Sequence, residues 1–169
     1  MNLPNKLSLS RIFLVLPVIF LLNYSNLKWF TVCLYILICF TDWLDGWLAR
    51  KYNDITVLGQ FLDPLADKVI ILLPIIFFVA KGTVDPWTAM IVVGREIFVT
   101  GLRLLAVNCQ IVIAAGIWGK VKTVLQMLSV ILLILESPWA QYFYYVSVLV
   151  SVWSGFMIWE QGKTIFKQY

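Results

Sequence analysis

Long apolar runs recur along the whole of this 169-residue chain, each closed by a short polar stretch, and that recurrence leaves few folds open. A helix needs about 20 apolar residues, with a range of roughly 17–25, to cross a bilayer. Cutting the chain at its polar punctuation yields runs of that order at about 8–24, 28–50, 57–81, 86–109, 118–136 and 139–162. Asn23-Tyr24-Ser25-Asn26 closes the first, Arg50-Lys51 with the turn after it closes the second, and Lys81-Gly82 closes the third. Asp85-Pro86 opens the fourth, because proline suits the first helical turn, and Ser137-Pro138 closes the fifth. The fold class expected is an all-α integral membrane protein with six transmembrane helices, in one domain over 1–169.

Composition agrees. The chain is 62% hydrophobic and 13% charged, against about 45–50% and about 25% in soluble domains. Its eight tryptophans suit membrane interfaces. It has no histidine, so imidazole-based acid–base, nucleophilic or metal-ligand chemistry is excluded. Cys33, Cys39 and Cys109 lie in or beside apolar runs without paired metal spacing, and read as small lipid- or core-facing residues. The N-terminal basic residues precede an apolar run as in a signal peptide, but no cleavage-site pattern follows. Residues 1–8 are expected to be a short interfacial segment ahead of a retained first helix.

An even number of spans places both termini on one side. That side would carry Lys6, Arg11, Arg50, Lys51, Arg103, Lys120, Lys122, Lys163 and Lys167, and the other Lys28 and Lys81 with Asp85 and Glu136. The excess of Lys and Arg marks the first side as cytoplasmic. The formal net charge of +4 is thus gathered at helix ends on one face. No nucleic-acid partner is expected; anionic lipid or a phosphorylated substrate fits better.

Five of the nine acidic residues fall between Thr41 and Lys68. Asp42, Asp45, Gly46 and Ala49 are spaced i, i+3, i+4, i+7, and Gly59, Asp63 and Asp67 are spaced i, i+4, i+8. Each set forms one stripe on a helix. A short turn between antiparallel helices lets the stripes face each other, with four carboxylates converging. One or two acids near a helix end are ordinarily solvated caps, and Asp54, in the turn and off both stripes, reads that way. Four on facing stripes cannot all stay ionised in a low-dielectric site without cations. Hard oxygen ligands suit Mg²⁺ or Mn²⁺, and a pair of such ions suits phosphoryl-type transfer. Gly46, Ala49 and Gly59 leave room for a ligand, and Arg50 can pair with a phosphate.

The ungapped pattern Asp42-x-x-Asp45-Gly46-x-x-Ala49-Arg50, eight residues, Gly59, three residues, Asp63, three residues, Asp67 resembles the signature of the CDP-alcohol phosphotransferase family. The resemblance implies six membrane helices around a cytoplasm-facing site with two divalent cations, and transfer of a substituted phosphate from a CDP-linked donor to an alcohol with release of CMP. It implies Asp42, Asp45, Asp63 and Asp67 as metal ligands, Asp67 also as general base, and Gly46, Ala49, Arg50 and Gly59 as the CDP site. Homodimers are common in the family, so a homodimer is expected.

The second half bears on the acceptor. Gly94-Arg95-Glu96-Ile97 lies within the fourth run, with Arg103 near the face of Arg95; Gly119-Lys120-Val121-Lys122-Thr123, then Gln126-Met127, lies near the start of the fifth. A bare helix N-terminus with two lysines is an anion site, so Arg95, Arg103, Lys120 and Lys122 are candidates to bind an acceptor phosphate. For Arg95, buried in a span, the expected partner is an aspartate of the cluster or a bound phosphate, because Glu96 is adjacent in sequence but not on its face. For the two lysines, positive-inside anchoring is the plainer alternative. These motifs, with Asn2-Leu3-Pro4-Asn5-x-Leu7-Ser8-x-x-Arg11, are similar to those of bacterial members of the family that join CDP-diacylglycerol to glycerol 3-phosphate. The resemblance implies those two substrates and a bacterial-type plasma membrane. Inositol phosphate and phosphatidylglycerol stay open as acceptors. An ion pathway in a small transporter is a further alternative, disfavoured because the polar stripes open to one side only.

Overall fold

A computed structural model describes residues 3–52, 57–108 and 116–166. Six α-helices follow one another: α1 (Leu3–Leu21), α2 (Lys28–Tyr52), α3 (Val57–Ala80), α4 (Pro86–Asn108), α5 (Ile117–Ile134) and α6 (Ala140–Phe166). A 3₁₀ turn, Ser25–Leu27, joins α1 to α2, and there is no strand among the described residues. The six expected runs and the six helices coincide to within a few residues at most ends. The clearest difference is at the start: α1 begins at Leu3, so residues 3–8 continue the first apolar run as one helix.

The helix ends follow from local chemistry. Gly82 adopts φ 72°, a left-handed conformation open to glycine without penalty. The Thr83 N–H then donates back to the Phe78 carbonyl at 3.0 Å, which closes α3. At the next helix Asp85 Oδ2 accepts from the Thr88 N–H at 2.9 Å, capping α4 just ahead of Pro86. Just beyond α5, Glu136 takes φ 54° without being glycine. Lys81 Nζ donates to the Leu22 carbonyl at 2.8 Å and ties the end of α3 to the end of α1.

Packing divides the bundle into two trios. α1 packs on α2 and on α3; α6 packs on α4 and on α5; α5 also touches α2 and α3, and α3 touches α4. The core between them holds Val15, Val18, Tyr35, Ile38, Ile70, Ile75, Val130, Leu133 and Tyr144. Large apolar side chains are equally abundant outside, among them Phe13, Phe20, Trp29, Phe40, Met90, Leu149 and Trp153. Helices apolar on both inner and outer faces fit lipid rather than water as their surroundings. By length and composition two helices among the described residues can cross a membrane, Ile117–Ile134 and Ala140–Lys163. A third is gained if Phe13–Leu21 and Ser25–Thr41, which meet at 119°, form one broken span. α4 carries Arg95, Glu96 and Arg103 within its length, which lowers its hydropathy. The chain is thus an all-α membrane protein.

Candidate active site

The aspartate stripes fall on two helices that touch. Asp42, Asp45, Gly46, Ala49 and Arg50 are on α2, Gly59, Asp63 and Asp67 are on α3, and α2 contacts α3. The side chains of 42–52 and 57–64 lie outside the described residues, as does Asp54. Asp67 is exposed, while the flanking Ala66 and the following Ile70 are buried in the core. α3 therefore presents Asp67 away from the packed interior.

Beside Asp67 begins a polar network. Lys68 Nζ donates to Thr100 Oγ1 on α4. Thr100 Oγ1 donates in turn to the Glu96 carbonyl one turn back, at 2.7 Å. This fastens the aspartate-bearing part of α3 to the charged part of α4.

Glu96 is the hub. Its Oε1 lies 2.9 Å from Arg95 Nη1 and 2.5 Å from Lys122 Nζ on α5. The guanidinium of Arg95 reaches further: Nε donates to the Ser151 carbonyl at 3.1 Å, and Nη2 donates to Ser154 Oγ at 2.6 Å. Both serines are on α6 and buried. Gly155 makes room for the arginine, since a Cβ there would come within 3.1 Å of Arg95 Cγ. One carboxylate thus holds two cations in a buried cluster joining α4, α5 and α6, and a single positive charge is left over. Buried charges persist only when paired and hydrogen-bonded, and these are.

This corrects the expected partner of Arg95: Glu96 does pair with it. Helical register compares Cα directions, whereas a long guanidinium turns back across its own helix and brings Nη1 to the next residue. Lys122 likewise spends its charge on Glu96. Lys120 and Arg103 are exposed. Gly116 precedes α5 as its N-cap and, having no side chain, makes no side-chain cap bond.

In the sequence Glu96 was set aside as off the face of Arg95, and Ser151, Ser154, Gly155, Lys68 and Thr100 were missed. α6 carries no motif and reads as scaffold. Its signal was the stripe Ser147, Ser151, Ser154, Gly155, small residues recurring at helical spacing, all buried.

An exposed Asp67 beside a buried cation cluster, in an apolar all-α bundle, is a setting suited to a membrane enzyme acting on phosphorylated substrates. A family model described as CDP-alcohol phosphatidyltransferase matches residues 1–153, and the chain belongs to that family. Members of it generally depend on a divalent metal. The chain is similar to the CDP-diacylglycerol–glycerol-3-phosphate 3-phosphatidyltransferase of Bacillus subtilis, with 34% identity covering 96% of this chain and 98% of the relative. It is 33% identical to the protein of the same name from Rickettsia typhi, covering 98% and 99%. A third, from Rickettsia felis, is 40% identical over 80% of this chain and 76% of the relative.

Proposed function

We propose that this protein transfers the phosphatidyl group of CDP-diacylglycerol to glycerol 3-phosphate, forming phosphatidylglycerophosphate and CMP. The observation that carries the acceptor is the cation cluster around Glu96, with its surplus positive charge and with Arg103 and Lys120 exposed nearby in the chain. A dianionic acceptor suits such a site; serine or a neutral alcohol needs no such concentration of bases. The names borne by its relatives point the same way.

In the reaction, Asp67 takes the proton from the acceptor hydroxyl. The hydroxyl oxygen forms a bond to the lipid-linked phosphorus of the donor, and the bond from that phosphorus to the bridging pyrophosphate oxygen breaks, so that CMP leaves with the electron pair. Arg50 steadies the departing phosphate and Gly46, Ala49 and Gly59 give the cytidine end room. Arg103 and Lys120 take the acceptor phosphate, with Arg95 and Lys122 held by Glu96 behind them. The donor set fits two hard cations: Asp42 and Asp45 at i, i+3 on α2 and Asp63 and Asp67 at i, i+4 on α3, on helices in contact. When bound, Mg²⁺ or Mn²⁺ supplies neutralisation of the pyrophosphate charge.

The proposal includes six spans, both termini and the site on the cytoplasmic side of a bacterial-type plasma membrane, and a homodimer. Cysteine labelling of the loops and the mass of the detergent-solubilised protein test those parts. The function itself is tested by CMP release from CDP-diacylglycerol with Mn²⁺ and one acceptor at a time: glycerol 3-phosphate, inositol phosphate, serine or phosphatidylglycerol. Release with glycerol 3-phosphate alone is expected. Release with another acceptor keeps the family chemistry and overturns the acceptor.

A further inference from the structure

Gln126 sits on α5 at 1% exposure, and neither Oε1 nor Nε2 of its amide has a hydrogen-bond partner among the described residues. A buried polar group left unpaired costs about 1–3 kcal/mol, and native interiors seldom tolerate it without a reason. Gln126 follows Lys122 at i+4, on the same buried face of α5. Lys122 is held by Glu96, so the unpaired amide lies one turn beyond the cation cluster.

The chemistry of the amide narrows what it awaits. A carboxamide offers two N–H donors and an accepting oxygen. A hydroxyl, which both donates and accepts, matches it at both ends. A phosphate would satisfy the N–H groups but repel the oxygen.

We propose that Gln126 is a specificity-determining residue that hydrogen-bonds the 2-hydroxyl of the acceptor glycerol 3-phosphate, while the 1-hydroxyl is the nucleophile. This rests on the acceptor proposed above and adds which residue reads its carbon backbone. A site built to hydrogen-bond a substrate hydroxyl discriminates against the analogue lacking it, because its own polar group is then left unpaired.

The test is a cycle between residue and substrate. kcat/KM is measured for wild type and Gln126→Met with glycerol 3-phosphate and with 3-hydroxypropyl phosphate, which lacks only the 2-hydroxyl. The wild type is expected to lose about tenfold on the analogue, and Gln126→Met to treat the two alike within about twofold. The variant is also expected to melt no lower than wild type, since it removes an unpaired buried amide. Gln126→Leu repeats the comparison with a different side-chain shape in case methionine packs poorly. The same preference for glycerol 3-phosphate in wild type and both variants overturns the inference and leaves the proposed function standing. A wild type that turns over only other acceptors overturns both.

Discussion

Lys122 Nζ on α5 and Glu96 Oε1 on α4 lie 2.5 Å apart, in a contact buried from both sides. α4 and α5 each pack on α6, and this ion pair joins them across it. Glu96→Gln leaves Arg95 and Lys122 facing each other without their counter-charge. Breaking a buried pair by removing one partner costs about 3–5 kcal/mol. A large drop in the thermal midpoint in detergent is expected, with partial recovery in Glu96→Gln/Lys122→Met. An unchanged midpoint would show that the cluster contributes nothing to stability.

Gly155 faces Arg95, and an added Cβ would stand 3.1 Å from Cγ and 3.3 Å from Nε. Gly155→Ala forces the arginine to shift by a few tenths of an ångström, and a larger side chain forces it out of its seat against Ser151 and Ser154. Overpacking of this kind costs about 1–3 kcal/mol. The expected order of stability is wild type, then Gly155→Ala, then Gly155→Leu, read from thermal melts. If Gly155→Leu melts like wild type, Arg95 is not seated on α6.

Glu136, just past the C-cap of α5, adopts φ 54°. A left-handed conformation is unfavourable for a residue with a Cβ by about 1–2 kcal/mol, and glycine avoids that cost. Its ion pair with Lys28, 3.7 Å long and exposed, is worth little. Glu136→Gly is therefore expected to raise stability by about 0.5–1 kcal/mol, net of the entropy glycine loses on folding. A lower melting temperature would mean that the Lys28 contact outweighs the backbone term.

Arg103 and Lys120 are exposed and assigned to the acceptor phosphate. Arg103→Ala and Lys120→Ala are each expected to raise KM for glycerol 3-phosphate about tenfold, with little change in KM for CDP-diacylglycerol. Equal effects on both substrates would assign these residues a general structural role instead.

The helices were legible because polar punctuation and helix stop signals are local. Gly82 and Asp85-Pro86 act through their own backbone and capping chemistry, so the ends of α3 and the start of α4 need no tertiary information. The placement of Asp42 and Asp45 on one helix and Asp63 and Asp67 on the next also follows from spacing. The cation cluster was half legible. Arg95 and Lys122 stood out as charges in apolar runs, but their shared partner did not, because side-chain reach across a helix is invisible to Cα register. The seat on α6 was hidden for another reason: Ser151, Ser154 and Gly155 look like ordinary small residues of a membrane helix until Arg95 is seen among them.

The most direct measurement follows both products at once. Purified wild type and Asp67→Asn, in detergent with CDP-diacylglycerol, glycerol 3-phosphate and Mn²⁺, are assayed for CMP and for phosphatidylglycerophosphate by mass spectrometry. The account predicts equal amounts of the two products from the wild type, none after chelation of the metal, and a loss of at least about a thousandfold in Asp67→Asn with its melting temperature preserved. Phosphatidylglycerophosphate formed at the wild-type rate by Asp67→Asn, or none formed by a folded, metal-loaded wild type, would contradict it.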